Sequence, residues 1–200
     1  MLTRVLSHLL RGVHAGEAHL AWNEVATARA PALITLTTDA FPAGGLMPVR
    51  YAGRGVGDNI SPALRWSPGP AGTAEWVLIM QDPDAPLPRP FVHLIAYGIP
   101  AEVTELEEGA LSTASSRVRV GRNTFGRSAY AGARALPGHG LHRYVFQLFA
   151  LDRCLSFTKP PRLGTLLRAM HGSVVARARL DGFFERQVAK QNSRLSTRGR

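Results

Sequence analysis

Three stretches of the chain carry side chains that could do chemistry. The first is Asp82-Pro83-Asp84-Ala85-Pro86, directly after an apolar run. Pro83 and Pro86 fix φ and restrict the residues before them, so this loop leaves the run stiffly and holds two carboxylates in set directions. Two readings stand: an acidic turn whose aspartates accept backbone N–H groups, or a rigid arm of a binding site that loses little entropy on binding. The second is His93, eleven residues beyond Asp82 in an otherwise apolar segment. An imidazole there must satisfy both ring nitrogens or stand at the mouth of a cavity. The spacing also lets one strand end, turn and run back beside itself. Asp82 would then orient His93 and favour its protonated form.

The third stretch, Gly109 to Leu151, is 43 residues long without an aspartate or glutamate. It holds Arg117, Arg119, Arg122, Arg127, Arg134 and Arg143. Gly138-His139-Gly140 can present backbone N–H groups at close range, and His142 and Tyr144 share one face of the strand that follows. This set suits an anion, with N–H groups and imidazolium holding a phosphate or carboxylate and the arginines raising the local potential. The arginines as a set also read as a solvated basic surface. The sequence has no Gly-x-x-x-x-Gly-Lys loop, Gly-x-Ser-x-Gly elbow or His-Glu-x-x-His helix. No aspartate–histidine pair sits at dedicated ligand spacing, so neither metal nor other cofactor is expected.

The elements that must position these groups are strands. Leu33–Thr38, Trp76–Gln81, Phe91–Ile99 and Arg143–Leu151 are rich in branched and aromatic residues and separated by Pro-rich loops. Strict alternation puts Phe91, His93, Ile95, Tyr97 and Ile99 on one face and apolar residues on the other, the pattern of a central strand. Residues 162–171 read as a helix with Leu163, Leu166, Leu167 and Met170 on one stripe, and residues 174–181 as a last strand. Leu2, Val5, Leu6, Leu9, Leu10 and Val13 form the stripe of a short N-terminal helix, open to packing on its own domain, to a dimer contact or to a membrane surface. The expected organisation is a helical extension over 1–30, a domain over 31–186 and a basic flexible tail over 187–200.

Composition narrows the class. The 200 residues are 45% hydrophobic, enough for one domain with a core, and carry a formal charge of +10. Fourteen prolines and 20 glycines do not suit a helical bundle. One cysteine, Cys154, forbids an internal disulfide and is expected reduced in the core. The longest apolar run, Trp76–Met80, is far short of the roughly 20 residues of a membrane span. A cytoplasmic location is expected.

DPDAP, the His93 strand ending in YGIP, GRNTFGRSAYAG and GHGLHRYVFQLFALD, with NISPALRW upstream, occur here in an order and spacing that resembles the phosphatidylethanolamine-binding protein family, closer to its bacterial branch. The resemblance spans roughly residues 33–186. It implies a mainly β fold, a large antiparallel sheet packed on a smaller one in a sandwich with a few short peripheral helices, and a small pocket for phosphate-like head groups. Carried over, Asp82, Asp84 and Pro86 match the acidic-proline loop and His93 the strand histidine. His142, Arg143 and Tyr144 match the His-Arg-Tyr triplet, and Gly138, His139 and Gly140 the turn before it. Ala133, Ala135 and Leu136 stand where prolines are expected, which would loosen one pocket wall and let Leu136 narrow its rim. Ser173 stands where a histidine is often found.

The function expected is non-enzymatic binding of a small anionic or phosphate-containing ligand, with regulation of a kinase or protease as a family role. The alternatives are an interaction protein whose basic surface docks an acidic protein partner, and a weak phosphoryl-transfer or hydrolytic enzyme using His93 as acid or base. Nucleic acid is the weakest partner, because the aromatic residues are not interleaved with the arginines. A homodimer through residues 1–30 is a further expectation.

Overall fold

Strand β3 (Glu75–Asp82) is buried along its whole length, as its two-sided apolar sequence requires. It forms the middle of a five-stranded antiparallel sheet in the order β6-β4-β3-β7-β8, with β4 spanning Phe91–Pro100, β6 Arg119–Val120, β7 Leu141–Leu151 and β8 Val174–Glu185. A three-stranded sheet, β1-β2-β5 (Leu36–Thr37, Leu64–Trp66, Glu105–Leu106), covers one face. These features come from a computed structural model that describes residues 10, 12–112 and 118–186. The helix expected over 2–13 falls almost entirely outside the described residues, and so does the tail 187–200.

Each face of the large sheet has its own apolar cluster. Trp76, Leu78, Met80, Phe146 and Leu148 pack towards Leu36, Leu64 and Trp66 of the small sheet. Val77, Ile79, Phe149 and Leu151 pack towards Leu166, Leu167 and Met170 of helix α1 (Leu163–Met170), the stripe expected of it. Burial of each such side chain is worth about 1.5–3 kcal/mol.

Strict alternation fails in β4, because two bulges interrupt its pairing with β3. Val92 lies opposite Gln81 and Leu94 opposite Met80, so His93 is an inserted residue without a partner. A second shift falls between Trp76 and Leu78, where Gly98 takes φ +66°. Ile95 and Tyr97 therefore join the helix-side cluster with Val92, whereas Leu94, Ala96 and Ile99 face the small sheet.

Residues 12–30 lie along the helix side of the sheet in the same chain, with one 3-10 turn at Ala21–Asn23. Two buried sheet glutamines receive that turn: the amides of Ala21 and Trp22 donate to Oε1 of Gln81 at 2.7 Å and of Gln147 at 2.6 Å. Arg177 stacks 3.9 Å over the Trp22 ring. Cys154 is exposed rather than in the core, because the chain leaves β7 at Leu151 and turns at the surface.

Candidate functional site

Asp82 ends β3, while His93 and His142 lie near the starts of β4 and β7, the strands on either side of it. The antiparallel order brings all three side chains to one end of the sheet. There they line a cavity of about 470 Å³ together with Pro86 and Leu136.

Asp82 orients His142, not His93. Its Oδ2 is 2.8 Å from His142 Nδ1, with both side chains buried. Across the ring, His142 Nε2 lies 2.8 Å from His139 Nδ1, and His139 Nε2 lies 2.8 Å from the Leu10 carbonyl. Acceptors stand at both ends of this run, so making all three hydrogen bonds takes three N–H hydrogens on two rings, one more than two neutral imidazoles carry. Burial works against that extra proton, holding the His139 pKa below its ordinary value.

The acidic loop is tied into the same end. The Asp84 amide donates to Asp82 Oδ1 at 2.8 Å, and the Arg143 amide donates to Asp84 Oδ2 at 2.8 Å. Both aspartates thus accept backbone N–H groups, and Asp82 lines the cavity as well. The Arg143 guanidinium turns to Glu17 at 2.6 Å and lies 4.0 Å from Asp84. Glu17 also pairs with Arg179, whose hydrogen bonds keep the Glu17 carboxyl below its usual pKa. Gly138 (φ +78°) and Gly140 (φ +121°) flank a turn in which the His139 amide donates to the Leu136 carbonyl at 3.0 Å. That amide is therefore not free for a ligand.

His93 is fixed differently. Its Nδ1 lies 2.6 Å from the Ala131 carbonyl, an acceptor only, so Nδ1 carries the hydrogen. The ring lies between Phe91 and Tyr144, at centroid distances of 4.7 and 5.1 Å. Nε2 is buried and without a hydrogen-bond partner among the described residues. Burial pushes the His93 pKa down against the opposing pull of the Asp82 charge. The neutral ring thus keeps an unshared acceptor at Nε2, and the protonated form expected from an Asp82 pairing is disfavoured. Tyr144 accepts the Arg134 amide at 3.2 Å, and burial holds its hydroxyl protonated.

Several lining groups went unrecognised in the sequence. Phe91, Phe125, Arg134 and Arg186 all line the cavity. Arg134 lay in the acid-free stretch, and Phe91 is two residues from His93; nothing marked Arg186. The segment presenting the Ala131 carbonyl is clamped by Asn59, which accepts the Gly132 amide at 2.9 Å and donates to the Tyr130 carbonyl at 3.3 Å. Asn59 takes φ +59°, a left-handed conformation that asparagine tolerates. Ala133 and Ala135 are buried, Ala133 bridging to Ala52. Ser173 donates to the Met170 carbonyl at 2.7 Å at the end of α1, and does not line the cavity.

Known proteins match the chain over most of its length. The family model described as phosphatidylethanolamine-binding protein matches residues 37–185. A UPF0098 protein of Methanothermobacter thermautotrophicus is 37% identical over 158 residues, 76% of this chain and 99% of the relative. Among solved structures, a Chlamydia trachomatis protein described as a homologue of the phosphatidylethanolamine-binding proteins superposes with a TM-score of 0.70 at 34% identity, covering 79% of this chain and 100% of that one. Escherichia coli YbcL, described as a new member of the mammalian phosphatidylethanolamine-binding protein family, gives a TM-score of 0.69 at 28% identity, covering 77% of this chain and 99% of that one.

Proposed function

The chain belongs to the phosphatidylethanolamine-binding protein family, and from that membership we propose that it is a non-enzymatic binding protein whose cavity beside His93 takes a phosphomonoester or similar phosphate head group. One observation carries this reading: the His93 Nε2 is buried and, among the described residues, unpaired in a cavity that two arginines, Arg134 and Arg186, also line. An unsatisfied buried polar atom costs about 1–3 kcal/mol, so it favours an occupant that completes it.

A phosphomonoester does so in a defined way. Its P–OH donates to the neutral Nε2 while its anionic oxygens accept from the arginines, and the walls of Phe91, Pro86 and Leu136 take the organic part. His142 faces Asp82 with Nδ1 and His139 with Nε2, both at 2.8 Å, so its role is to hold the cavity wall rather than to touch the anion. Asp84, Arg143 and the Gly138–Gly140 turn likewise shape the site from outside the lining. With one charge-assisted hydrogen bond worth about 1.5–3 kcal/mol before the costs of association, small head groups bind at roughly micromolar to millimolar Kd. Control of a kinase or protease would act through the same phosphate-reading cavity.

The test is a calorimetric titration of phosphoethanolamine against the native protein and His93→Ala. The proposal expects affinity to fall at least about tenfold in the variant. Equal affinity for both proteins would defeat it.

A further inference from the structure

A second hollow opens beside the first. It measures about 370 Å³ and shares Phe125, Gly132 and Arg134 with the cavity of His93. Arg54 and Arg127 complete its charge, and no carboxylate lines it.

The three guanidinium groups are conspicuous for what they lack. Arg50, Arg65, Arg143 and Arg179 each reach a carboxylate. Arg54, Arg127 and Arg134 have no such ion pair among the described residues, although all three are exposed. Their backbones, by contrast, are fixed. Asn123 accepts the Arg127 amide at 3.1 Å and donates to the Ala129 carbonyl at 3.0 Å. Tyr144 accepts the Arg134 amide, and Gly53, next to Arg54, donates to the Ala133 carbonyl at 2.8 Å. Three cations are thus carried by a rigid wall into one hollow with no counter-charge among the described residues. Like charges gathered this way repel one another, and an anion that bridges them relieves the repulsion.

We propose that the natural ligand is a bis-anion, with one phosphate in the His93 cavity and a second phosphate or carboxylate in the arginine hollow, joined by a short organic chain over Phe125. This rests on the phosphate reading of the His93 cavity and names the substrate class that cavity serves. Arg134 borders both hollows and faces either group. Arg54 and Arg127 line only the second hollow and set the preference for a doubly charged ligand.

Calorimetric titration with alkyl monophosphates and with α,ω-alkanediol bisphosphates of matching chain length tests this. The native protein should bind at least one bisphosphate about tenfold tighter than its monophosphate, the gain of one further charge-assisted contact. In the double variant Arg54→Gln, Arg127→Gln the bisphosphate should fall to the monophosphate level, with monophosphate affinity unchanged. Bisphosphates that bind no tighter at any chain length, while monophosphates bind, overturn the bis-anion and leave the His93 reading standing. A bisphosphate preference that survives the double variant overturns it too. Failure of the native protein to bind any monophosphate overturns both.

Discussion

Asp82 and His142 are 60 residues apart in the chain and 2.8 Å apart in the structure, carboxylate oxygen to Nδ1, with both side chains nearly inaccessible to water. The pair joins β3 to β7 at the end of the sheet where the cavity opens, and leaves His93 as the group with a nitrogen to spare. Two histidines lining one cavity are thus held in different ways, His142 between Asp82 and His139 and His93 by the Ala131 carbonyl alone among the described residues.

Breaking the pair should cost stability. A buried hydrogen bond to a carboxylate is worth about 1.5–3 kcal/mol. Asp82→Asn keeps the shape and loses the charge, so its urea unfolding midpoint should drop accordingly. An unchanged midpoint would show that His142 is held by something else.

Ligand binding should depend on pH with a definite sign. The neutral Nε2 accepts a hydrogen, so a phosphomonoester monoanion fits as it is, while a dianion binds only with uptake of one proton. Affinity should therefore fall as pH rises past the second ionisation of the ester, near 6. Calorimetry in buffers of different ionisation enthalpy should count about one proton taken up per ligand above that pH. A methyl sulfate, which brings no hydrogen, should bind more weakly than methyl phosphate near neutral pH, where the His93 ring is neutral. Equal, pH-independent affinities would mean that Nε2 is not the contact.

Stability of the ligand-free protein should decline in acid for the same reason. The folded-state pKa of His93 is lowered from 6.5, chiefly by burial. As pH drops below the unfolded value, the unfolded chain takes up a proton that the native ring resists, and folding is penalised until the folded pKa is passed. Urea midpoints measured at about pH 7.5 and 5.5 should differ less in His93→Leu than in the native protein. His139, whose pKa is also lowered, leaves a residual slope of the same sign.

The strands were legible in the sequence because burial on both faces writes continuous apolar runs, as in Trp76–Gln81 and Phe91–Ile99. The turn-back that brings Asp82 near His93 was legible too, from their spacing and the prolines between them. The partner of Asp82 was not. Pairing across β3 and β7 joins distant segments, and a single inserted residue at His93 redirects its side chain in a way that periodicity cannot register. Alternation accordingly misassigned β4. Cys154 was misplaced because a lone small residue carries no pattern, and only the exit of the chain from β7 decides its exposure. The acid-free stretch was legible as a run of positive charge, but not which of its arginines would border the cavity.

Asn59 offers a test of how the His93 acceptor is aimed. Its side chain makes two hydrogen bonds to the segment carrying the Ala131 carbonyl, from a left-handed backbone. Asn59→Ala loses both bonds and strains the backbone, at about 1–3 kcal/mol each for stranded groups and roughly 1–2 kcal/mol for φ. Asn59→Gly relieves the backbone only. Thermal unfolding should rank native, then Gly, then Ala, and the reverse order of the two variants would contradict this geometry.

The most direct measurement is the ¹⁵N NMR spectrum of the His93 imidazole during titration with phosphoethanolamine. On saturation the Nε2 resonance should move from that of an unbonded acceptor towards that of a hydrogen-bonded or protonated nitrogen, while Nδ1 stays protonated against Ala131. Saturation of the protein with both His93 nitrogens unmoved would contradict the account.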